Sequence, residues 1–534
     1  MLINLLLCLA SVVMLCLPWA GTTGYFLLGA LVPLLILQQR LEDRSRLTGK
    51  KHRIFFYVAG TFLLWNFISI IWLLWLRGFA AVAFTAAVLV NTFMTVVPFM
   101  VYHYVWRRAK KPLAYTMLVA MWIAFEYLYL HGEISFPWMT LGNGFMNDVK
   151  AVQWYEYTGV LGGSLWVLVA NIVIYEAIKN YRAAKQISAF VTPVLVVAVP
   201  LVVSVFMYNK YTEVENPVTV EVIQPNIDPY EEKFDSMTEE EQVDIMLSLA
   251  PNAPQGVDYI VTPETSLASS FHWEDRFESN ATLARFRGFL YENAPAAKFI
   301  IGANTLKRYP NTAEKSITAR YGRGGIWYDV YNSAVYIDTT SFVDVYHKSK
   351  LVIGAETMPY YKQMKKLEKL SLDLGGLTGL LGTENERSVF TSQDGAKVGV
   401  AICYESVYGQ YCAEYVQKGA QSLFIITNDG WWGNTAGHRN HFAFARLRAI
   451  ELRRSIARSA NTGISGFINQ RGDVISKTKW DERVSQTGVI NLNDKLTFYA
   501  RFGDMTGRLA VYAALLGVLY YIAYRRRKKD YLTD

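Results

Sequence analysis

Long runs of apolar residues with few charges fill residues 1 to 209, and one more such run lies near the end of the chain. A helix needs about 20 mostly apolar residues to cross a bilayer. By this measure the pattern predicts eight membrane spans, at 1–20, 24–39, 55–76, 80–105, 113–131, 153–177, 189–208 and 507–524. The chain is therefore predicted to be a multi-pass membrane protein.

Residues 210–505 have the pattern of a soluble domain, in which charges are mixed with short apolar runs. Runs such as VTVEVIQPN, KFIIGANTL and SLFIITNDG alternate with polar helical stretches such as MTEEEQVDIMLSLA. Strand runs bounded by helices are typical of layered α/β domains with buried sheets. We predict a membrane domain of seven spans at 1–209, an α/β domain at 210–505, and a final membrane helix with a basic tail at 506–534.

The first apolar run has a second interpretation, as a cleaved signal peptide. LPWAG places small residues after the run, as at a cleavage site. No Lys or Arg precedes the run, whereas signal peptides begin with positive charge. Loss of this run would also leave the remaining helices with seven crossings, and we therefore favour a span. The whole chain, with 52% apolar and 18% charged residues, has a larger apolar share than a soluble protein.

The short loops between the spans differ in charge. The loops rich in Lys and Arg are 40–53, 107–111, 179–185 and 525–529. The opposite short loops hold only Arg77 and Lys150. By the positive-inside rule, both termini are cytoplasmic and the 210–505 domain lies outside the cytoplasm. Because these loops explain much of the net charge of +8, that charge gives no support for a nucleic-acid partner.

Three chemically reactive residues each follow a predicted strand: Glu264 in VTPETS, Lys348 in DVYHKSKL and Cys403 at the end of VGVAIC. Polar residues at strand ends of layered α/β folds are often functional. Together these groups can transfer an acyl group, because the carboxylate takes the thiol proton, the sulfur attacks a carbonyl and the cation stabilises the oxyanion. Cys403 opens a strand-to-helix turn, where helix amides are expected to lower the thiol pKa.

Each residue also has a structural interpretation on its own. Glu264 could cap a turn, Lys348 could be one charge on an edge strand, and Cys403 could be a buried thiol or pair with Cys412. The spacing argues against the disulfide, because Cys412 falls about two turns along the next helix. Alternate strand residues share a face, so spacing does not choose between Lys348 and Lys350.

The texts PET, HKSKL and ICYES, in this order, resemble the nitrilase superfamily, and the surrounding spans resemble the apolipoprotein N-acyltransferase family. The resemblance extends to FPWMTLGNGF at 136, to VIQPN at 222 and to the block that begins TNDGWWGNTAGHRNHFAFARLRAIE. It implies an α-helical membrane domain of about eight transmembrane helices and a nitrilase-like αββα sandwich.

Carried over by position, the resemblance implies that Cys403 is the nucleophile, Glu264 the general base and Lys348 the oxyanion stabiliser. Lys348 is preferred because the family Lys lies eight residues before a supporting Glu, here Glu356. The implied supporting or substrate-binding residues are Glu356, Tyr404, Glu405 and Trp431. Two departures stand out: LVIGAE replaces the family text LVPFGE, and Phe234 occupies the position of a family tryptophan.

The resemblance implies a two-step reaction that needs no cofactor. A phospholipid donates its acyl chain to Cys403 as a thioester, and the amine of the diacylglyceryl cysteine of an apolipoprotein then accepts it. The implied partners are a phospholipid acyl donor, an apolipoprotein acceptor and membrane lipid, without nucleic acid. The implied location is the bacterial inner membrane, with the catalytic domain on the periplasmic side. Seven His, with no His or Cys cluster, also disfavour a metal site.

Two other functional classes use different features of the sequence. A membrane-anchored amidase would use the same three residues and give the acyl group to water. A transporter would need ionisable groups at mid-membrane depth, and Glu126 is the clearest one.

The stretch from Met364 to Leu381 has leucines at intervals of three or four residues, flanked by lysines. This pattern predicts a segment that lies in the lipid headgroup region. An amphipathic helix packed on the domain is the alternative, and the glycines at 375, 376 and 379 favour a mobile arm.

Overall fold

A computed structural model describes residues 1–49, 53–77, 80–250, 256–322, 325–361 and 380–530. The chain forms two compact units. The first comprises Met1–Leu73, Ala81–Lys210 and Phe502–Asp534, and the second comprises Leu74–Ala80 and Tyr211–Arg501. Most of the predicted headgroup segment, residues 364–379, lies outside the described residues.

The first unit is helical. Among the described residues, eight helical segments are long and apolar enough to cross a membrane, which confirms the predicted number. They are Leu2–Ala20, Gly24–Thr48, Ile54–Trp75, Ala80–Trp106, Lys111–His131, Tyr155–Ala184, Ile187–Lys210 and Met505–Arg526. The second segment extends beyond its predicted end at residue 39, because QRLEDRSR is rich in residues that favour a helix although it is polar.

The second unit contains two β-sheets. In chain order, the strands are β1 Pro217–Gln224, β2 Tyr259–Val261, β3 Leu267–Trp273, β4 Lys298–Tyr309, β5 Arg320–Tyr321, β6 Trp327–Ile337, β7 Val343–His347, β8 Phe390–Thr391, β9 Lys397–Ile402, β10 Ser422–Thr427, β11 Ile456–Ala460, β12 Gly466–Ile468, β13 Val474–Lys477 and β14 Val484–Asn491. The first sheet has the order β14-β1-β2-β4-β6-β5, with β3 paired to β4 and β7 to β6. The second has the order β13-β12-β11-β10-β9-β8.

The two sheets pack face to face between helices. Alternate residues of β1 face opposite sides, so Val220 and Val222 join the core shared with the second sheet, whereas Ile223 joins the core beneath two helices. The helices on the outer face of the first sheet are Glu239–Leu249 and Ala281–Asn293. Those on the second sheet are Gly409–Gln417 and Ala436–Leu452. This arrangement is the predicted αββα sandwich.

The directions of the strands place the three candidate residues at carboxyl ends of strands. In the first sheet, β1, β2 and β4 are parallel, and β6 is antiparallel to both β4 and β7, so β7 runs in the same direction as β2. In the second sheet, β9, β10 and β11 are parallel. Glu264, Lys348 and Cys403 follow the carboxyl ends of β2, β7 and β9 respectively. Such ends form the usual location for sites in open α/β sheets.

Candidate active site

Glu264, Lys348 and Glu356 form one buried cluster. Lys348 Nζ donates to Glu264 Oε1 at 2.8 Å and to Glu356 Oε1 at 2.8 Å. Asn332 Nδ2, from β6, donates to the same two oxygens at 2.8 and 3.2 Å. One ammonium group thus contacts both carboxylates, and one of them belongs to the Glu that lies eight residues after Lys348. Sequence reasoning did not identify Asn332.

Charge pairing decides the protonation of this cluster. Burial acts to raise the pKa of Glu264, but Lys348 and the hydrogen bond from Asn332 outweigh burial, so the pKa lies below its ordinary value. Burial acts to lower the pKa of Lys348, but Glu264 and Glu356 outweigh it and raise that pKa well above its ordinary value. At neutral pH the site therefore holds a carboxylate beside an ammonium.

The backbone around Glu264 is held by buried neighbours. Lys233 Nζ donates to the carbonyl oxygen of Glu264 at 2.8 Å, and burial lowers the pKa of Lys233 to about 7. The backbone N–H of Asn428 donates to Glu264 Oε2 at 3.1 Å. On β4, a Cβ atom at Gly302 would lie 2.2 Å from the carbonyl oxygen of Pro263, so only glycine permits this close approach. Lys233 and Gly302 carry no sequence signal that links them to the distant Glu264.

Cys403 begins a short 3₁₀ turn, Cys403–Val407, directly after β9. Its backbone has φ of 52°, in the left-handed region. For a residue with a side chain this conformation costs about 1–2 kcal/mol, and such strain concentrates at functional sites. The buried thiol lies within electrostatic reach of both Glu264 and Lys348 and hydrogen-bonds Thr427. Cys403 and Cys412 are both free, so the alternative of a disulfide is wrong.

The expectation of a lowered thiol pKa at Cys403 is wrong. Burial and the negative charge of Glu264 raise the pKa of this thiol and outweigh the opposing effect of Lys348. The turn that follows Cys403 has only five residues and lacks the dipole of a long helix. The resting sulfur is therefore a thiol, and another group would have to accept its proton before the sulfur could act as a nucleophile.

Glu405 connects the turn that begins at Cys403 with the segment that follows Lys348. Its Oε1 accepts the backbone N–H of Ser349 at 2.7 Å, and its Oε2 accepts the backbone N–H of Ile402 at 2.8 Å. Its carboxylate also accepts hydroxyl donors from Tyr346, Tyr411 and Tyr415. Glu405 is thus a structural link between the ends of β7 and β9.

Two other predicted site residues lie in aromatic clusters. Trp431 stacks on Phe234 with ring centroids 5.8 Å apart, and Tyr230 meets Trp431 edge-on at 5.0 Å. Phe234 therefore provides an aromatic face beside Lys233, whose Nζ lies 5.7 Å from the ring centroid. Tyr404 is buried and lies edge-on to Tyr408 at 5.2 Å.

Lys350, the alternative to Lys348, packs against an aromatic ring. Its Nζ sits 4.6 Å from the centroid of the Tyr408 ring. The geometry therefore selects Lys348 as the cation beside Glu264. Among the residues that the structure describes, no group of three His, Cys, Asp or Glu side chains is placed to hold a metal ion.

The fold and this site define a class, that of membrane-spanning proteins with a carbon-nitrogen hydrolase domain. The Carbon-nitrogen hydrolase family model matches residues 219–494. The model for the Apolipoprotein N-acyltransferase N-terminal domain matches residues 10–173.

Proteins with similar sequences identify the family within this class. The apolipoprotein N-acyltransferase of Chlorobaculum tepidum is 30% identical over 508 residues, which cover 93% of this chain and 92% of that protein. The proteins of the same name from Geobacter metallireducens and Thermotoga maritima are 27% and 25% identical, cover 76% and 75% of this chain, and are covered over 74% and 70% of their own lengths. The chain belongs to the apolipoprotein N-acyltransferase family.

Proposed function

We propose that the protein transfers a fatty acyl chain from a phospholipid to the N-terminal amine of a diacylglyceryl-modified apolipoprotein, through a thioester on Cys403. The observation that carries this proposal is the buried Glu264–Lys348 ion pair within electrostatic reach of the Cys403 thiol. The family membership and the eight candidate spans support a substrate that resides in a membrane.

In the first step, Glu264 takes the thiol proton as Cys403 Sγ attacks the ester carbonyl carbon of the phospholipid. Glu264 Oε1 is engaged by Lys348 and Asn332, whereas Oε2 accepts one hydrogen bond from Asn428 and retains a lone pair for this proton. The tetrahedral intermediate then collapses, the ester C–O bond breaks, and the lysophospholipid alkoxide takes the proton from Glu264.

Lys348 stabilises the oxyanion of this intermediate. An ammonium group has three N–H donors, and among the described residues two of them point to Glu264 and Glu356. The third is available to the oxygen that becomes negative in the transition state, where a preformed donor lowers the barrier. Glu356 holds Lys348 in place without taking its proton, because the pKa of Lys348 is raised.

In the second step, the neutral amine of the apolipoprotein cysteine attacks the thioester carbonyl. Glu264 takes the amine proton and returns it to the departing sulfur, so the C–S bond breaks as the amide forms. The free enzyme is restored without a metal or a redox partner. The Lys- and Arg-rich loops support an inner-membrane orientation with this domain on the periplasmic side.

Intact-mass spectrometry tests the thioester directly. We expect the purified full-length protein, incubated with phosphatidylethanolamine vesicles without acceptor, to gain the mass of one fatty acyl group that neutral hydroxylamine removes. Adding a synthetic diacylglyceryl lipopeptide should discharge the adduct and produce an N-acylated peptide.

Two variants locate the adduct. Cys403→Ala should form none, whereas Cys412→Ser, at the second buried cysteine of the domain, should form it as the wild type does. An acyl adduct on Cys403→Ala would overturn the proposed nucleophile. Discharge to water at an equal rate with and without lipopeptide would favour the amidase.

A further inference from the structure

A histidine directly before Lys348 is buried between two acidic side chains. His347 is the last residue of β7, and its side chain is 2% exposed. Its Nε2 lies 2.6 Å from Glu274 Oε1, and its Nδ1 lies 2.7 Å from Glu384 Oε1. Glu274 begins the 3₁₀ helix Glu274–Ser279 after β3, and Glu384 lies in the segment before β8. The ring of one histidine thus connects two parts of the chain that are far apart in sequence.

The two glutamates determine the charge of this ring. Burial acts to lower the pKa of His347, but the hydrogen bonds and negative charges of Glu274 and Glu384 outweigh burial and raise this pKa above its ordinary value. In turn, His347 lowers the pKa of Glu274 against the effect of burial. A carboxylate can only accept hydrogen bonds, so a ring that hydrogen-bonds one at each nitrogen carries hydrogen on both. The favoured form of His347 is therefore an imidazolium.

Three other ionisable groups lie around this histidine and its partners. The Tyr331 ring, from β6, stacks on the imidazole with centroids 3.9 Å apart, and burial raises the pKa of Tyr331, which keeps that ring neutral. Lys307, on β4, acts on the Glu274 carboxylate and stabilises its charge. Asp344, on β7, lies within electrostatic reach of Glu384. Among these groups the acidic side chains outnumber the one ammonium, which is consistent with a protonated ring.

The residues on both sides of Lys348 are tied to the same glutamate. Ser349 Oγ donates to the carbonyl oxygen of His347 at 2.9 Å and accepts the backbone N–H of Glu384 at 2.8 Å. The backbone N–H of Lys348 itself donates to the carbonyl oxygen of Asn332 at 2.7 Å. Together with the contact from His347 Nδ1, Glu384 therefore holds the chain at residues 347 and 349, and Lys348 lies between them.

We propose that His347 is a positioning residue: its imidazolium, held between two glutamates, fixes the segment of chain that carries Lys348. This inference rests on the proposed role of Lys348 as the oxyanion stabiliser. Loss of one ring proton would leave a bare nitrogen 2.6 or 2.7 Å from a glutamate oxygen, where two acceptors repel each other. The link to that glutamate would then break, and the Lys348 ammonium would no longer be held where the oxyanion forms.

The charge on His347 gives the direction of a pH effect. Because its pKa is raised in the folded protein, its ion pairs stabilise the fold below the ordinary histidine value of about 6.5 and are lost as the pH rises through the raised value. Lys348 does not account for a decline in that range, because its pKa lies well above the ordinary lysine value. Thioester formation is therefore expected to slow as the pH rises above neutrality.

Two other residues of the domain sharpen the test. Burial lowers the pKa of Lys233 to about 7, so this lysine also titrates near neutrality. Glu274→Gln distinguishes the two groups, because Glu274 raises the pKa of His347, and its loss should move a limb set by His347 to lower pH. A limb set by Lys233 should stay in place. His438, on the helix Ala436–Leu452, is a matched histidine control, because burial lowers its pKa to about 4 and its ring is neutral at pH 7.

Nitrogen NMR of the full-length, ¹⁵N-histidine-labelled protein in detergent tests the charge of His347. Signals are assigned by their loss in His347→Gln and His438→Gln. We expect both His347 nitrogens to be protonated at pH 6 and the ring to lose a proton above about pH 6.5, the ordinary histidine value, with a lower midpoint in Glu274→Gln. His438 should have one bare nitrogen from pH 6 to pH 8. A bare nitrogen on His347 at pH 6 would overturn the charge assignment, whether or not Cys403 forms a thioester.

Rapid-quench measurement of thioester formation from pH 6 to pH 9.5 tests the positioning role. Because displacement of a reacting group by about 1 Å can cost on the order of 100-fold, we expect His347→Gln to lower the rate constant by about 10- to 100-fold at pH 6. The phospholipid concentration that gives half the maximal rate should not change, since a misplaced oxyanion donor affects the transition state and not lipid binding. The variant should also lack the alkaline decline set by His347, because glutamine does not titrate.

Rates are compared per folded molecule, with thermal unfolding recorded for each variant. A purely structural role predicts a lower Tm with a normal rate in the folded fraction, and that outcome would reject the positioning role. So would an alkaline limb that stays in place in Glu274→Gln, or a loss of rate in His438→Gln equal to that in His347→Gln. If the wild type itself forms no adduct on Cys403, the proposed function fails, and the NMR result still decides the charge of His347.

Discussion

Glu264 and Glu405 are both buried at the carboxyl ends of strands, one in each sheet, yet their carboxylates serve different purposes. Glu264 pairs with an ammonium, and its pKa lies below the ordinary value. Glu405 accepts neutral backbone and tyrosine donors, and burial raises its pKa despite them. The two buried carboxyl groups therefore have pKa values shifted in opposite directions, because Glu264 hydrogen-bonds the Lys348 ammonium and Glu405 accepts from neutral donors.

This difference in charge suits Glu264 to proton transfer and Glu405 to structural support. Glu264 keeps its charge, and one of its oxygens retains room for a proton. Glu405 is engaged by donors at both oxygens and has little capacity for proton transfer in the site. Its contribution is to join the turn that begins at Cys403 to the chain that follows Lys348.

Removing Lys348, the cation that pairs with Glu264, is expected to have the largest effect on stability and on the rate of thioester formation. Lys348→Met leaves Glu264 and Glu356 buried without their ammonium partner, and loss of a buried ionic partner costs about 3–5 kcal/mol of stability. The rate of thioester formation should fall on the order of 10³-fold, since one oxyanion donor contributes that much. Rapid-quench mass spectrometry and thermal unfolding measure the two effects.

Lys350→Met is the control for this change, because the Lys350 ammonium lies against the Tyr408 ring, whereas the Lys348 ammonium hydrogen-bonds Glu264. It should retain nearly the wild-type rate. If the rate of thioester formation fell equally in Lys348→Met and Lys350→Met, the assignment of Lys348 as the oxyanion stabiliser would be rejected.

On the Glu405 side, Glu405→Gln tests the structural link. The amide places an NH₂ group where the carboxylate accepts backbone N–H donors, and a buried donor without an acceptor costs about 1–3 kcal/mol. We expect a lower Tm and a rate of thioester formation lowered by about 10- to 100-fold through misplacement of Cys403. Unchanged stability and rate would show that the link between the sheets is dispensable.

The smallest expected effect concerns the pH dependence of Glu264. Because its pKa is lowered, thioester formation should decline only below about pH 4.3, the ordinary glutamate range. Asn332→Ala removes a donor to the carboxylate, which raises the pKa of Glu264, so the acid limb should move to higher pH. Rates measured from pH 3.5 to 7 check the sign, and a limb that moves downward would contradict the role of Asn332.

Much of the fold follows from hydrophobic patterning. Eight apolar runs gave eight spans because a span requires a long uninterrupted pattern that few other structures produce. The main strand runs were found for a similar reason, since buried parallel strands are continuous apolar segments. Short or less regular strands such as Leu267–Trp273 and Val474–Lys477 were missed, because they lack that continuity.

The residues of the candidate site were predictable where a chemically reactive side chain follows the end of a strand. Glu264, Lys348 and Cys403 each stand in such a position, and their local texts match a family. Asn332 was missed because it lies inside β6, where the strand pattern gives no sign that a polar residue contacts the distant Glu264. The raised pKa of Cys403 was missed because burial and the approach of Glu264 depend on chain segments far apart in sequence.

Gly302 has a consequence for engineering this domain toward other acyl donors. Any side chain at this position would meet the backbone beside Glu264, with Cβ 2.8 Å from the Glu264 Cα atom. Directed libraries that diversify β4 would therefore displace Glu264, the proposed proton acceptor, at this one codon, whatever improvement they introduce elsewhere. Keeping glycine at 302 would preserve the close approach of β4 to the backbone that carries Glu264.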